Sequence, residues 1–128
     1  MIVKAYAKIT LAILLIVTAA NVAAAGNAER GKILYASRCS ACHSLEYNGV
    51  GPAHKGVYGS KAGSAPGYAY SSALASSKII WTDKTLNKWL ANPEKLIPGQ
   101  KMGFSVSAAK ERTDLIAYLK QVSREVHD

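Results

Sequence analysis

Two cysteines and a histidine stand within five residues of each other, Cys39-Ser40-Ala41-Cys42-His43, and the 128-residue chain has no other cysteine. In a helical turn, positions i, i+3 and i+4 share one face, so Cys39, Cys42 and His43 can be presented together to a single flat ligand. Cys-x-x-Cys-His reads as an attachment site for a c-type haem, with two thioether bonds from the sulfurs and one iron bond from the imidazole. Two other chemistries use part of the pattern. A thioredoxin-like redox pair wants a βαβ setting, but the residues before Cys39 read as helix and no alternating apolar strand precedes them. A structural zinc needs two further ligands at suitable spacing. Only His54 and His127 remain, and they do not form the usual second pair.

The other residue with iron chemistry is Met102, the one methionine beyond Met1, in the stretch Ile97-Pro98-Gly99-Gln100-Lys101-Met102-Gly103-Phe104. Pro98 and Gly99 set a turn, and Gly103 loosens the chain beside the thioether. A lone methionine is ordinarily adaptable core filler. In a chain that also carries a haem motif, a thioether is a recognised sixth ligand to the iron.

These groups need elements to carry them. A first helix over Ala28 to about Cys39, capped by Asn27 with Glu29 in its first turn, delivers Cys39 into the motif. Gly31 and Tyr35 lie four apart on one face of it, a pattern for a close helix crossing. Residues 44–70, with six glycines and two prolines, read as loop. So long a loop is unusual in a compact domain, and a large planar cofactor gives it a surface to pack on. Ser71 or Ser72 caps a short helix through Ala75, and Ile79-Ile80-Trp81 is too short to found a sheet. Thr82 caps a helix over Asp83–Ala91 that puts Leu86, Trp89 and Leu90 on one face and stops at Asn92-Pro93. A last helix, about Ala108–Arg124 with Ser107 as its cap, repeats Leu115, Ile116, Leu119 and Val122 at three and four. It is the natural partner for Gly31 and Tyr35. The fold class is all-α.

Residues 1–25 stand apart. Lys4 and Lys8 precede the apolar run Ile9–Val17, and Ala23-Ala24-Ala25 supplies small residues for cleavage, so the segment reads as a secretory signal peptide. Its apolar stretch is near the short limit for a spanning helix, and no stable membrane anchor is expected. Residues 26–128 then form one domain, small enough that a buried cofactor would serve as part of its core. Export, to the periplasm, suits covalent haem attachment. Without Lys4 and Lys8, the sixteen basic and eight acidic residues of the chain leave +6 on residues 26–128. An exported domain with no clustered Lys/Arg stripe is not expected to bind nucleic acid, and acidic protein partners fit the charge better.

The order of these features resembles the class I mono-haem c-type cytochromes, the soluble bacterial and mitochondrial type. The resemblance rests on Cys39-x-x-Cys42-His43, Gly51-Pro52, Tyr70, Trp81, Pro98-Gly99-Gln100-Lys101-Met102 and Asp114-Leu115-Ile116-Ala117-Tyr118-Leu119. It spans nearly all of residues 26–128. It implies a cytochrome c fold, three main helices plus short helices and long loops wrapped around one covalent haem c. It implies thioethers at Cys39 and Cys42, His43 and Met102 as the two iron ligands, a carbonyl at Pro52 that accepts the other imidazole N–H, and Tyr70 and Trp81 as donors to a buried propionate. Trp89 would flank the methionine. Two positions depart from the family pattern: His54 stands where a leucine is usual, and Gln100, which retains a propionate donor, where threonine is usual.

The implied function is periplasmic one-electron transfer between respiratory or dehydrogenase partners, as a carrier and not an enzyme. Acidic electron-transfer proteins such as a membrane cytochrome complex, a terminal oxidase or a periplasmic dehydrogenase would dock on a monomer near Arg38, Lys95 and Lys101, with Lys32 and Lys110 further out. The alternatives are a haem subunit of a larger oxidoreductase, or an open-site haem sensor or enzyme in which Met102 is not a ligand.

Overall fold

The computed structural model describes residues 25–126, arranged as five helices joined by long loops. The expected signal segment lies outside the described residues, apart from Ala25. Helix α1, Ala28–Arg38, starts where the Asn27 side chain accepts a hydrogen bond from the Arg30 N–H, with Glu29 in its first turn. It stops one residue short of the expected end, at Cys39. Helix α2, Ser72–Ala75, is capped by Ser71, whose hydroxyl accepts from Leu74 N at 3.1 Å. Helix α3, Asp83–Ala91, opens with a reciprocal capping box between Thr82 and Thr85.

One expectation about helix ends is extended and one corrected. Asn92-Pro93 ends α3 but also begins α4, Pro93–Leu96: proline is at home in a first helical turn, and the Asn92 side chain accepts from Lys95 N. Helix α5, Ala109–Arg124, is preceded by Ala108 with no side-chain cap, so Ser107 does not play the role its type suggests. Instead the Arg112 guanidinium grips the Val106 and Ser107 carbonyls at 2.8 and 2.7 Å and fixes how the chain enters the helix.

The crossing of α1 on α5 is the frame of the molecule. A Cβ at Gly31 would lie 2.0 Å from the Asp114 carbonyl oxygen and 2.8 Å from Tyr118 Cβ, so the two backbones approach as closely as they do only because residue 31 has no side chain. Asp114, nearly fully buried, ties the same crossing by polar contacts. Its carboxylate accepts from Asn27 N at 2.8 Å and from Arg30 Nε at 3.0 Å. Leu115 and Val106 are the largest of the fully buried side chains, and Tyr35, Leu86, Trp89, Tyr118 and Leu119 pack in the same core. Among the described residues the only strand-like pairing is one antiparallel bridge, Lys61 to Ile80. Flanked by Trp81 N to Ser60 O at 2.9 Å and Gly59 N to Trp81 O at 2.7 Å, it pins Trp81 to the long loop.

Candidate cofactor site

The chain leaves α1 in a tight turn that continues the helical sense. Cys39 N donates to Tyr35 O, and His43 N donates back to Cys39 O at 2.9 Å, an i to i+4 bond. That turn brings Cys39, Cys42 and His43 to one side, where all three line a cavity of about 1230 Å³. Cys39 is half-buried and Cys42 exposed, and neither is in a disulfide. Burial pushes the Cys39 thiol up to about 11, so it is protonated at neutral pH.

His43 is held with its ring edge on the backbone. Nδ1 lies 2.9 Å from the Pro52 carbonyl, which therefore receives the N–H and leaves Nε2 as the free, lone-pair nitrogen. A Cβ at Gly51 would be 2.1 Å from His43 Cε1, so glycine is what allows the loop to lie against the imidazole. Burial lowers the His43 pKa, opposed by the Pro52 hydrogen bond, and the neutral form that a metal ligand requires prevails. The ring also has a neighbour whose role the sequence left open: the His54 imidazole stacks on that of His43, centroids 3.9 Å apart.

Met102, half-buried, lines the same cavity from the loop after α4. The loop is braced by Glu94, whose carboxylate accepts from Gly99 N at 2.9 Å and Gln100 Nε2 at 3.2 Å, while Gln100 Oε1 accepts from Met102 N at 2.5 Å. Gln100 thus braces the loop through both ends of its amide, and its second Nε2 N–H is left to donate elsewhere. Gly99, at φ +89°, makes the turn that a residue with a Cβ would resist. Trp81 and Trp89, both buried, line the cavity with centroids 5.3 Å apart. Tyr70 also lines it, and its hydroxyl accepts from Ala65 N at 3.0 Å, which leaves the O–H proton to donate elsewhere.

The remaining wall is loop, and two residues close it. Asn48 accepts from Ala53 N and donates to the Pro66 carbonyl, both at 2.9 Å, and the Tyr68 hydroxyl donates to Val50 O at 2.6 Å. The bonds to the Pro66 and Val50 carbonyls join the loop's two limbs across eighteen residues of sequence. An asparagine or tyrosine in a glycine-rich stretch gives no local sign of such a partner.

The cavity exceeds the roughly 300–1,000 Å³ of ordinary small-ligand clefts, and its lining is mostly apolar. It has two thiols and an imidazole on one wall and a thioether on another segment. Among the described residues no group of three or more His, Cys, Asp and Glu side chains converges to hold a bare metal ion. The donor set, two soft sulfurs for carbon and one nitrogen plus one thioether sulfur for iron, fits a covalently held haem.

The cytochrome c family model matches residues 28–123. The chain belongs to the cytochrome c family. Cytochrome c of Euglena viridis is 52% identical over 98 residues, covering 74% of this chain and 96% of that protein. Cytochrome c of Gibberella zeae is 45% identical over 105 residues, covering 79% and 99%. Among solved structures, cytochrome cH from Methylobacterium extorquens is similar at 50% identity and a TM-score of 0.72, over 75% of this chain and 99% of that one. The chain is a class I mono-haem c-type cytochrome with the all-α fold of that class, an electron carrier and not a catalyst. Family membership implies haem and iron as its cofactor.

Not every cation expected around a cytochrome c docking face carries free charge. Arg38 makes a two-pronged pair with Glu111 at 2.6 and 2.8 Å, and Lys110 lies 3.6 Å from Asp114. Lys32, Lys61, Lys95 and Lys101 enter no salt bridge among the described residues. Lys61 and Lys101 line the cavity itself.

Proposed function

We propose that this cytochrome carries one electron at a time through a single haem c fixed by thioethers at Cys39 and Cys42 and ligated by His43 Nε2 and Met102 Sδ. When bound, the haem supplies a one-electron Fe(III)/Fe(II) couple. His43 offers a neutral imidazole whose tautomer is set by the Pro52 carbonyl. Met102 offers a soft sulfur, which favours the reduced iron and raises the potential. With both positions filled by protein, small molecules have no open coordination site. Trp81 and Tyr70 offer N–H and O–H donors to a propionate, and the apolar walls exclude water.

The observation that carries this reading is the convergence of Cys39, Cys42 and His43 with Met102 on one large apolar cavity, from segments about sixty residues apart in the chain. We place the protein in the periplasm, with residues 1–25 as a cleaved signal and residues 26–128 as the mature domain. Its partners are acidic electron-transfer proteins of a respiratory chain or a dehydrogenase.

The test is spectroscopic. The purified protein should keep its colour through acidified-acetone extraction. In the ferric state it should show the weak long-wavelength charge-transfer band of methionine ligation, and in the ferrous state it should not bind CO at neutral pH. Extractable pigment would overturn the thioethers, and ready CO binding would overturn Met102 as ligand. Amino-terminal sequencing of periplasmic material should begin at Gly26.

A further inference from the structure

Attachment chemistry does not require His54, and filling space does not explain its geometry. Its ring lies over the His43 ring at 21° between planes and 3.9 Å between centroids. Its Nδ1 is 3.1 Å from the Tyr35 hydroxyl. Tyr35 is buried on α1, in edge contact with His54, and packs on Tyr118 of α5 with centroids 5.4 Å apart. A chain of contacts therefore runs from the α1–α5 crossing to the face of the proximal imidazole.

The Pro52 carbonyl holds one atom of the His43 ring, and a bond to one atom still lets the ring swing about it. A flat plate against the ring face removes that freedom. An aliphatic side chain at position 54 would fill similar space but conform to any ring angle. An imidazole held at Nδ1 by the Tyr35 hydroxyl and packed against the edge of the Tyr35 ring is constrained at two places, so turning it would cost both contacts.

We propose that His54, held by Tyr35, is a positioning residue for His43. It sets the plane of the proximal imidazole, and its dipolar, polarisable face favours the oxidised state, in which the site carries one more positive charge. The proposal rests on the reading of His43 as an iron ligand and adds to it a role for His54. His54→Leu removes plate and dipole together. Its midpoint potential should rise, read as about a threefold higher reduced-to-oxidised ratio at fixed ambient potential, or about 30 mV for a one-electron couple.

The experiment uses the holoprotein and three variants, His54→Leu, His54→Phe and Tyr35→Phe. It records the midpoint potential, the haem-methyl proton shifts of the ferric form, which follow the imidazole plane, and stability in denaturant. His54→Phe keeps a flat plate without the imidazole dipole, so it should carry most of the potential rise with a near-native methyl pattern. Tyr35→Phe frees the plate, so it should alter the methyl pattern with a smaller change in potential. Native methyl shifts and native potential in all three, with only stability reduced, would overturn the proposal. Failure of the underlying reading is distinct: the unsubstituted protein would itself lack the spectrum of nitrogen and sulfur ligation. If His54→Leu does not fold, the two phenylalanine variants decide the matter.

Discussion

At the scale of single residues, what chemistry demands was plain in the sequence, and what only geometry demands was not. Cys39, Cys42, His43 and Met102 stand out because few side chains can bond a vinyl carbon or a haem iron. Asn48, Tyr68 and Glu94 do not stand out, since their partners lie elsewhere in the chain and no spacing announces them, and His54 stands out only as a departure from the family pattern, with no role attached. Met102→Ala should open the iron to CO, abolish the sulfur charge-transfer band and cost about 2 kcal/mol or more of stability. CO titration with parallel denaturant unfolding checks all three. Asp114 makes a pH prediction. The Arg30 guanidinium, with the Asn27 N–H, holds its carboxyl down to about 2, against roughly 3.9 in an unfolded chain. Between those values the unfolded state binds the extra proton. The stabilisation is therefore complete above about pH 4 and is lost as pH falls toward 2. Asp114→Asn should be less stable than the native protein at pH 6, and the gap should narrow steadily in unfolding curves taken at pH 4, 3 and 2.

At the scale of elements, the helices that were legible are those with local signals. Asn27, Ser71 and Thr82 cap as their types suggest, because a cap is made within three residues of itself. Ser107 fails because α5 starts at Ala109, which puts Ala108 at the cap position, and Arg112 from the first turns of the helix holds the Ser107 carbonyl. Helix α4 was hidden because one Asn-Pro pair both ends a helix and starts the next. The partnership of Gly31 with α5 was readable from a small residue four positions from a large one, and it makes a sharp prediction. Gly31→Ala gains about 1 kcal/mol of helix propensity, yet its Cβ meets backbone at 2.0 Å, which no side-chain rotation relieves. The two helices must part, so we expect a net loss of about 1–2 kcal/mol, and a larger one for Gly31→Val, in urea unfolding. The loop that carries Met102 is held differently, by Glu94 through Gly99 and Gln100. Gln100→Ala should leave the fold intact but lower the temperature at which the sulfur charge-transfer band disappears, with helical circular dichroism unchanged at that temperature.

For the molecule as a whole, the proposed docking to acidic partners makes charge the property to test. The +6 of residues 26–128 is unevenly available: among the described residues Arg38, Lys55, Lys110 and Lys120 are paired with carboxylates, while Lys61, Lys95 and Lys101 enter no salt bridge. Lys61 and Lys101 line the cavity, so the unpaired charge includes positions where a partner must come close for an electron to cross. A transient complex steered in this way is governed by the range of the field. The Debye length falls from about 30 Å at 0.01 M salt to about 8 Å at 0.15 M, so attraction that reaches across the whole docking face in dilute buffer acts only near contact at physiological strength. The second-order rate of electron transfer to an acidic partner should fall about tenfold or more over that interval. Lys101→Glu should flatten this dependence and lower the low-salt rate. Lys84→Glu, the same change in net charge at a residue that does not line the cavity, should do so less, and Arg38→Gln least, because it removes one unit of charge where the others remove two and Glu111 already offsets Arg38. Stopped-flow rates for the three variants across the salt series separate a docking face from a merely basic protein: equal effects of Lys101→Glu and Lys84→Glu would mean that only net charge matters.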